Sequence, residues 1–307
     1  MIKTDVKISS CGYEADLCST LGGNCYRLYH RPTDSSLLRT PRDEKELFSE
    51  IFLFGNPILF PCNRIRGGEF TFEDRIYRFP INEPETGCHI HGALYKAPFT
   101  IEDIGDDRVT FVFRAKAGEY LGFDHGFVIK RHYLLDADGL HERVEVTNLS
   151  EKNMPFMLAF HTTLNIPFAN GGSADACRLS LDVTEEQLRD ENYLPTLRYR
   201  GGTARERAMC KGRYEISSSP LSALYGVSGQ RAVIRDSEAG LSIAYEGDAE
   251  YRYRMLWRRE GAPFFVIEPQ TCAIDCFHLE RNADEKGLIV IPPHETISLC
   301  TRLALEK

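Results

Sequence analysis

Along most of this chain, apolar and polar residues alternate in short runs that are cut off by Gly, Asp, Asn or Pro. Val109 to Arg114, Phe127 to Leu135, Leu140 to Val146, Leu241 to Tyr245 and Ser298 to Leu305 all follow this pattern. A repeat of two puts every second side chain on one face, so each run predicts a strand with one side in the core. Asp136-Ala137-Asp138-Gly139 separates two of these runs and has the chemistry of a hairpin loop, Gly139 being able to take a positive φ. Asp236-Ser237-Glu238-Ala239-Gly240 reads the same way. The pattern predicts an all-β, mainly antiparallel fold.

Helix signals are few. Pro41 to Leu47 predicts a short helix capped by Thr40, and Thr184-Glu185-Glu186-Gln187-Leu188 predicts the start of another. Neither is long enough to organise a fold, and without strands alternating with long helices a doubly wound α/β enzyme is disfavoured. Gly22-Gly23, Gly67-Gly68, Gly171-Gly172 and Gly201-Gly202 lack dinucleotide or P-loop spacing and read as turns.

The chain has 307 residues, more than the usual domain, but all-β sandwiches and barrels of this length are often one unit. Residues 1–307 are therefore read as a single domain with a sizeable core. With 45 acidic and 37 basic residues the formal charge is −8, which argues against nucleic acid as a partner. Leu197-Arg198-Tyr199-Arg200 and Tyr251-Arg252-Tyr253-Arg254 interleave aromatic and basic residues, but on a strand that alternation only sends the two kinds to opposite faces. Met1 to Val6 lacks the apolar core of a signal peptide, and no run of 18 apolar residues suits a membrane. The 10 cysteines are then expected to be reduced thiols in a cytosolic protein. Cys272 and Cys276 lack a second pair at zinc spacing and are expected to be inert.

Chemistry concentrates in three places. Phe264-Phe265-Val266-Ile267-Glu268-Pro269-Gln270-Thr271 carries one carboxylate at the end of an apolar strand that proline stops, and Glu is rarely buried without a partner or a task. His89-Ile90-His91-Gly92 and Ala159-Phe160-His161-Thr162 supply histidines in similar settings. His89 and His91 share a strand face at a chelating distance, but no carboxylate follows at the interval a cupin-type site uses, so no metal is expected. Taken alone, His161 reads as a hydrogen-bonded core histidine and Trp257 as a core anchor more readily than a cavity wall; a sheet-edge ion pair for Arg64 is the lesser reading, and pairing of Glu268 with a buried Arg such as Arg64 is an alternative that does not exclude function.

The order of motifs changes these readings. Gly55-Asn56-Pro57 to Asn63-Arg64-Ile65, Gly68-Glu69-Phe70, His91-Gly92, Val146-Thr147-Asn148, His161, Leu194-Pro195-Thr196, Glu268-Pro269-Gln270-Thr271, Asn282 and Gly287-Leu288 follow one another as in the aldose 1-epimerase (galactose mutarotase-like) family. The chain resembles that family over nearly its whole length. The resemblance implies a large antiparallel β-sandwich that interconverts the α and β anomers of an aldose without metal or cofactor. It also implies that Arg64 and His91 contact the sugar, that His161 is the general acid and that Glu268 is the general base. Ring opening needs a proton taken from the anomeric hydroxyl and another given to the ring oxygen, tasks that suit a carboxylate and an imidazole.

The chain departs from the family pattern twice. Thr162-Thr163 follows His161 where an aromatic pair is usual, and no aspartate occupies the region near Tyr225 to Gly229 where galactose mutarotases bind sugar hydroxyls. Asp124-His125 has the right letters but precedes His161, and the role is not carried onto it. Other readings kept open are a mutarotase of a modified or phosphorylated sugar, with Arg252 and Arg254 as phosphate contacts, and a non-catalytic carbohydrate-binding protein.

Overall fold

The alternating runs become the strands of one large antiparallel sheet. The computed structural model describes residues 4–307. Phe127–Asp136 and Gly139–Asn148 pair from Phe127 with Asn148 to Asp136 with Gly139, and their burial alternates as the residue pattern requires. Gly139 closes this hairpin at φ +113, and a Cβ there would stand 2.5 Å from the Leu303 carbonyl oxygen. Thr296–Glu306 and Leu241–Gly247 continue the sheet, followed by Leu221–Asp236, Tyr253–Arg258, Phe264–Gln270 and the short Ala159–Phe160 and Ile58–Leu59. Arg108–Ala115 and Thr100–Ile104 extend it at the other end. A second sheet, Val6–Ser10, Tyr13–Cys18, Asn24–His30 and Ser35–Ser36, packs Ile8, Leu17 and Leu28 into the same core as Phe111, Ile129 and Leu135.

The two sheets are joined by a buried ion pair as well as by apolar contact. Arg131 faces Val144 and Glu142 faces Tyr133 in the central hairpin, a diagonal pair on one face, and Arg131 Nε donates to Glu142 Oε1 at 2.7 Å. The rest of the guanidinium donates to Gly22 O at 2.6 Å and Asn56 O at 3.1 Å, while Asn56 Nδ2 donates to Glu142 Oε2 at 2.6 Å. Every strong polar atom of the pair has a partner, which is the condition for burying charge without a large penalty.

Two helix expectations need correction. The first helix is Glu44–Ser49, capped by the Asp43 side chain, which accepts from Glu46 N; Thr40 donates its hydroxyl to Tyr26 O instead. Thr184 to Leu188 is no helix: it lies inside the strand Cys177–Arg189. Glu186 pairs with Arg200 on the neighbouring strand and Glu185 with Arg281 on a loop, so tertiary partners override the helix preference of a Glu-Glu-Gln run. The helix Ala204–Cys210 went unpredicted, although Thr203 and Glu206 form a capping box at its start. No described helix is long and apolar enough to cross a membrane.

Candidate active site

Glu268 lies in Phe264–Gln270, a strand buried at every position. On one side Ala159 pairs with Gln270 and Thr162 with Ile267, so one antiparallel register spans both contacts and sets His161 opposite Glu268. Pro269 has no N–H to give, the ladder breaks there, and the His161 N–H donates to Pro57 O at 2.9 Å. The side chains of a directly opposed pair point the same way. His161 Nε2 accordingly comes within 3.5 Å of Glu268 Oε1.

The floor of the site continues across the sheet in two rows. Met255 faces Glu268, Leu224 faces Met255 and Gln187 faces Leu224. Two residues along each strand, on the same face, come Trp257 and Ser222, and Arg189 reaches that row by donating from Nη2 to the Ser222 carbonyl and, at 3.0 Å, to its hydroxyl. The opposite wall is the ribbon of Arg64–Arg66 with Cys88–Ile90, closed by His91 N donating to Asn63 O at 3.0 Å. Glu83 clamps Arg64 from outside with two contacts of 2.6 Å. Phe52 covers the histidines, its ring 4.9 Å from His91 and 6.0 Å from His161. Between Glu268, Met255, Trp257 and Ser222 on one side and Arg64, Ile90 and His91 on the other lies a cavity of about 400 Å³, a size that suits a small polar ligand.

Three cavity residues hold left-handed backbone conformations: Asn63 at φ +55, His91 at φ +62 and Tyr193 at φ +61. Such geometry costs free energy in residues with a Cβ and is kept where surrounding structure imposes it. Gly92, next to His91, has φ +60, and a Cβ on it would fall 1.7 Å from Phe60 O, so only glycine lets the histidine segment pack this closely.

Burial governs the electrostatics. Removal from water pushes the Glu268 carboxyl up to about 8, against the Gln270 side chain that donates to Oε2 at 3.0 Å and the charges of Arg64 and Arg189. Burial also pushes His161 down to about 4, with the carbonyls of His161 and Phe52 acting the other way. Near neutrality the empty pair thus holds one proton, on the carboxyl. His91 is driven well below the ordinary range by burial, then by His161 and Arg64, and its Nδ1 is buried without a protein partner.

All four residues singled out in the sequence, Glu268, His161, His91 and Arg64, line this one cavity. The partner of Arg64 is Glu83, not Glu268. His89 turns away, its Nδ1–H donating to Pro80 O at 2.7 Å, so the two histidines of that motif do not converge. Trp257 is half-buried on the cavity wall and stacks on Phe264. Phe52, Tyr193 and Trp257 supply the aromatic surface that Thr162-Thr163 does not. Arg252 and Arg254 are elsewhere: Arg252 pairs with Asp284 at 2.6 Å, and Arg254 is buried against the carbonyls of Tyr251 and Tyr253. His125 is buried between Tyr77 and Ser150, a structural position. Cys272 Sγ lies 3.5 Å from Cys62 Sγ, in the core. Glu83, Arg189, Tyr193 and Phe52 were not singled out, because each enters the site from a loop, strand end or single turn without a local motif.

A broad antiparallel sheet bearing this cavity defines a galactose mutarotase-like protein. The model of the aldose 1-epimerase family matches residues 8–304, and the chain belongs to that family. It is 25% identical over 222 residues to the chromosomal LacX protein of Lactococcus lactis subsp. lactis, covering 69% of this chain and 72% of LacX. A galactose mutarotase-like protein of Clostridium acetobutylicum superposes with a TM-score of 0.93 at 27% identity, over 100% of this chain and 98% of the other. Galactose 1-epimerase from Lactobacillus acidophilus NCFM gives a TM-score of 0.72 at 17% identity, over 96% and 92% of the two chains, a likeness of fold.

Proposed function

We propose that the chain, as a single domain, is a cofactor-independent mutarotase that opens and recloses the ring of an aldose. The observation that carries the reading is the Glu268–His161 pair, which shares one proton across 3.5 Å at the floor of a monosaccharide-sized cavity. In the working form the carboxylate of Glu268 takes the proton of the anomeric hydroxyl while imidazolium His161 gives one to the ring oxygen. The C1–O5 bond breaks and an open-chain aldehyde results. Rotation about C1–C2 presents the other carbonyl face, and the O5 hydroxyl adds to it as both proton transfers reverse.

The pair starts and ends with the same single proton, so no other acid, base or redox partner is needed. In the empty site that proton rests on Glu268, and reaching the working form requires its transfer to His161. Sugar hydroxyls donating to the carboxylate, together with the Arg64 charge, favour that form. Neutral His91, with a free ring nitrogen, and Arg64, fixed by Glu83, hold the ring hydroxyls.

Anomer exchange followed by proton NMR on a panel of aldoses tests the reading. Acceleration by the wild type that His161→Ala and Glu268→Gln both lose is the expected result. Saturable sugar binding with no acceleration would overturn it in favour of a carbohydrate-binding protein.

A further inference from the structure

We infer that the sugar handled at this site carries an anionic group, a phosphate or a carboxylate, and that Arg189 is the residue that selects for it. The inference rests on the mutarotase reading for its site and adds the substrate class.

The argument begins with how charges are matched around the molecule. A larger concavity, about 680 Å³ on the outer face of the sheet, is rich in charge, but its groups neutralise each other: Arg108 with Asp103, His141 with Asp136, and Arg302 with Glu246. In the Glu268 cavity the other basic groups are also matched, Arg64 by Glu83 at 2.6 Å, and at the rim Arg39 and Arg259 both by Glu50. Arg189 is the exception. It lines the cavity, is half-buried, and has no carboxylate at ion-pair distance among the described residues, Glu186 and Glu268 acting on it only from farther off.

Its hydrogen bonds run from one nitrogen to Ser222, leaving Nε and Nη1 without a protein partner among the described residues. Burial and then the charge of Arg64 weigh against the cation, with Glu186, Glu268 and Tyr193 acting the other way without reversing the balance. The Tyr193 ring, held at φ +61, takes Arg64 at 4.8 Å and Arg189 at 5.7 Å, so the two guanidinium groups contact one aromatic ring. Spare coplanar N–H donors on a fixed guanidinium match the two oxygens of a carboxylate or phosphate.

The strand between the acid and base segments sharpens the point. The resemblance implies a sugar-binding aspartate in that stretch, and what the strand Leu221–Asp236 offers the cavity is Ser222, which secures Arg189. A wall expected to be negative is positive here. A neutral hexose leaves the guanidinium without a counter-ion in contact, and an anionic sugar supplies one.

The test measures anomer exchange and calorimetric binding for galactose, galactose 6-phosphate and galacturonate, with the corresponding glucose series, on wild type, Arg189→Met and Arg189→Lys. The expected result is a preference of at least tenfold for one anionic sugar over its neutral parent, shrinking as salt is raised from 20 to 200 mM, lost in Arg189→Met and partly kept in Arg189→Lys. Which anionic sugar wins separates phosphate from carboxylate. Equal handling of neutral and anionic sugars by the wild type, or a preference that survives Arg189→Met, overturns the inference. Should both variants fail to fold, the wild-type preference and its salt dependence decide. Arg189-dependent anion binding without anomer exchange would keep this inference and remove the mutarotase reading. Exchange of neutral sugars with no anionic preference would do the reverse.

Discussion

Glu142 and Glu268 are equally buried, each 3% exposed, yet they belong to different kinds of structure. Glu142 has both oxygens filled, by Arg131 and by Asn56, and the group it pairs with ties two sheets together. Glu268 has one hydrogen bond, from Gln270, and a histidine 3.5 Å from its other oxygen. Both carboxyls are pushed up by burial, so neither depth nor the direction of the shift distinguishes them. What distinguishes them is the supply of partners. A carboxylate with every lone pair engaged holds the fold together, and one left short of partners faces the cavity and can exchange a proton.

The largest effect that would test this contrast is on the structural side. Glu142→Ala strands the buried Arg131 charge, and a loss of about 3–5 kcal/mol in chemical denaturation is expected. Glu268→Gln should behave oppositely, keeping or raising the melting temperature while anomer exchange falls roughly 10²–10⁴-fold. If Glu268→Gln destabilised as strongly as Glu142→Ala, the distinction would fail.

Next in size is pH dependence. The pair keeps its single proton between about 4 and about 8, so kcat/KM should be bell-shaped between those limits. Below the lower limit both groups are protonated and no base remains; above the upper one no acid remains. Stability carries the same signature. The Glu268 carboxyl rises from its ordinary 4.5 to about 8 on folding, so its contribution is full below pH 4.5 and is lost as pH rises toward 8. His161 falls from 6.5 to about 4, so its contribution is present above 6.5 and lost as pH drops toward 4. The alkaline loss in melting temperature should flatten in Glu268→Gln and persist in Glu142→Ala.

The smallest effect concerns backbone strain. Tyr193→Gly relieves a left-handed aromatic residue but frees the unfolded chain, so a stability change within about 1 kcal/mol is expected. Its sugar affinity should fall all the same, because the ring that gathers Arg64 and Arg189 is gone.

Much of this was legible in the sequence, for identifiable reasons. The strands with one buried face announce themselves by alternation, and the hairpin at Gly139 by its turn residues. His91 and Glu268 stood out because each precedes a glycine or proline at the end of an apolar run, and His161 and Arg64 because they fall in the ordered series of motifs. Glu185-Glu186-Gln187 misled because its partners, Arg281 and Arg200, are remote in sequence. Glu83 is hidden for the same reason: its clamp on Arg64 crosses a loop, and nothing local marks a glutamate as a clamp. Arg189 is visible only by what it lacks, and a missing carboxylate is a three-dimensional fact.

The pairing of His161 with Glu268 by strand register reaches beyond the chemistry. Because neighbours on a strand face opposite ways, sliding either segment by one residue would turn one member of the pair from the cavity while leaving most apolar positions in contact with something apolar. The two segments are also far apart in sequence, so their zipping waits on long-range contacts that form slowly. Recovered activity after denaturation therefore reads out alignment of the sheet, a property that recovered β-sheet circular dichroism does not report.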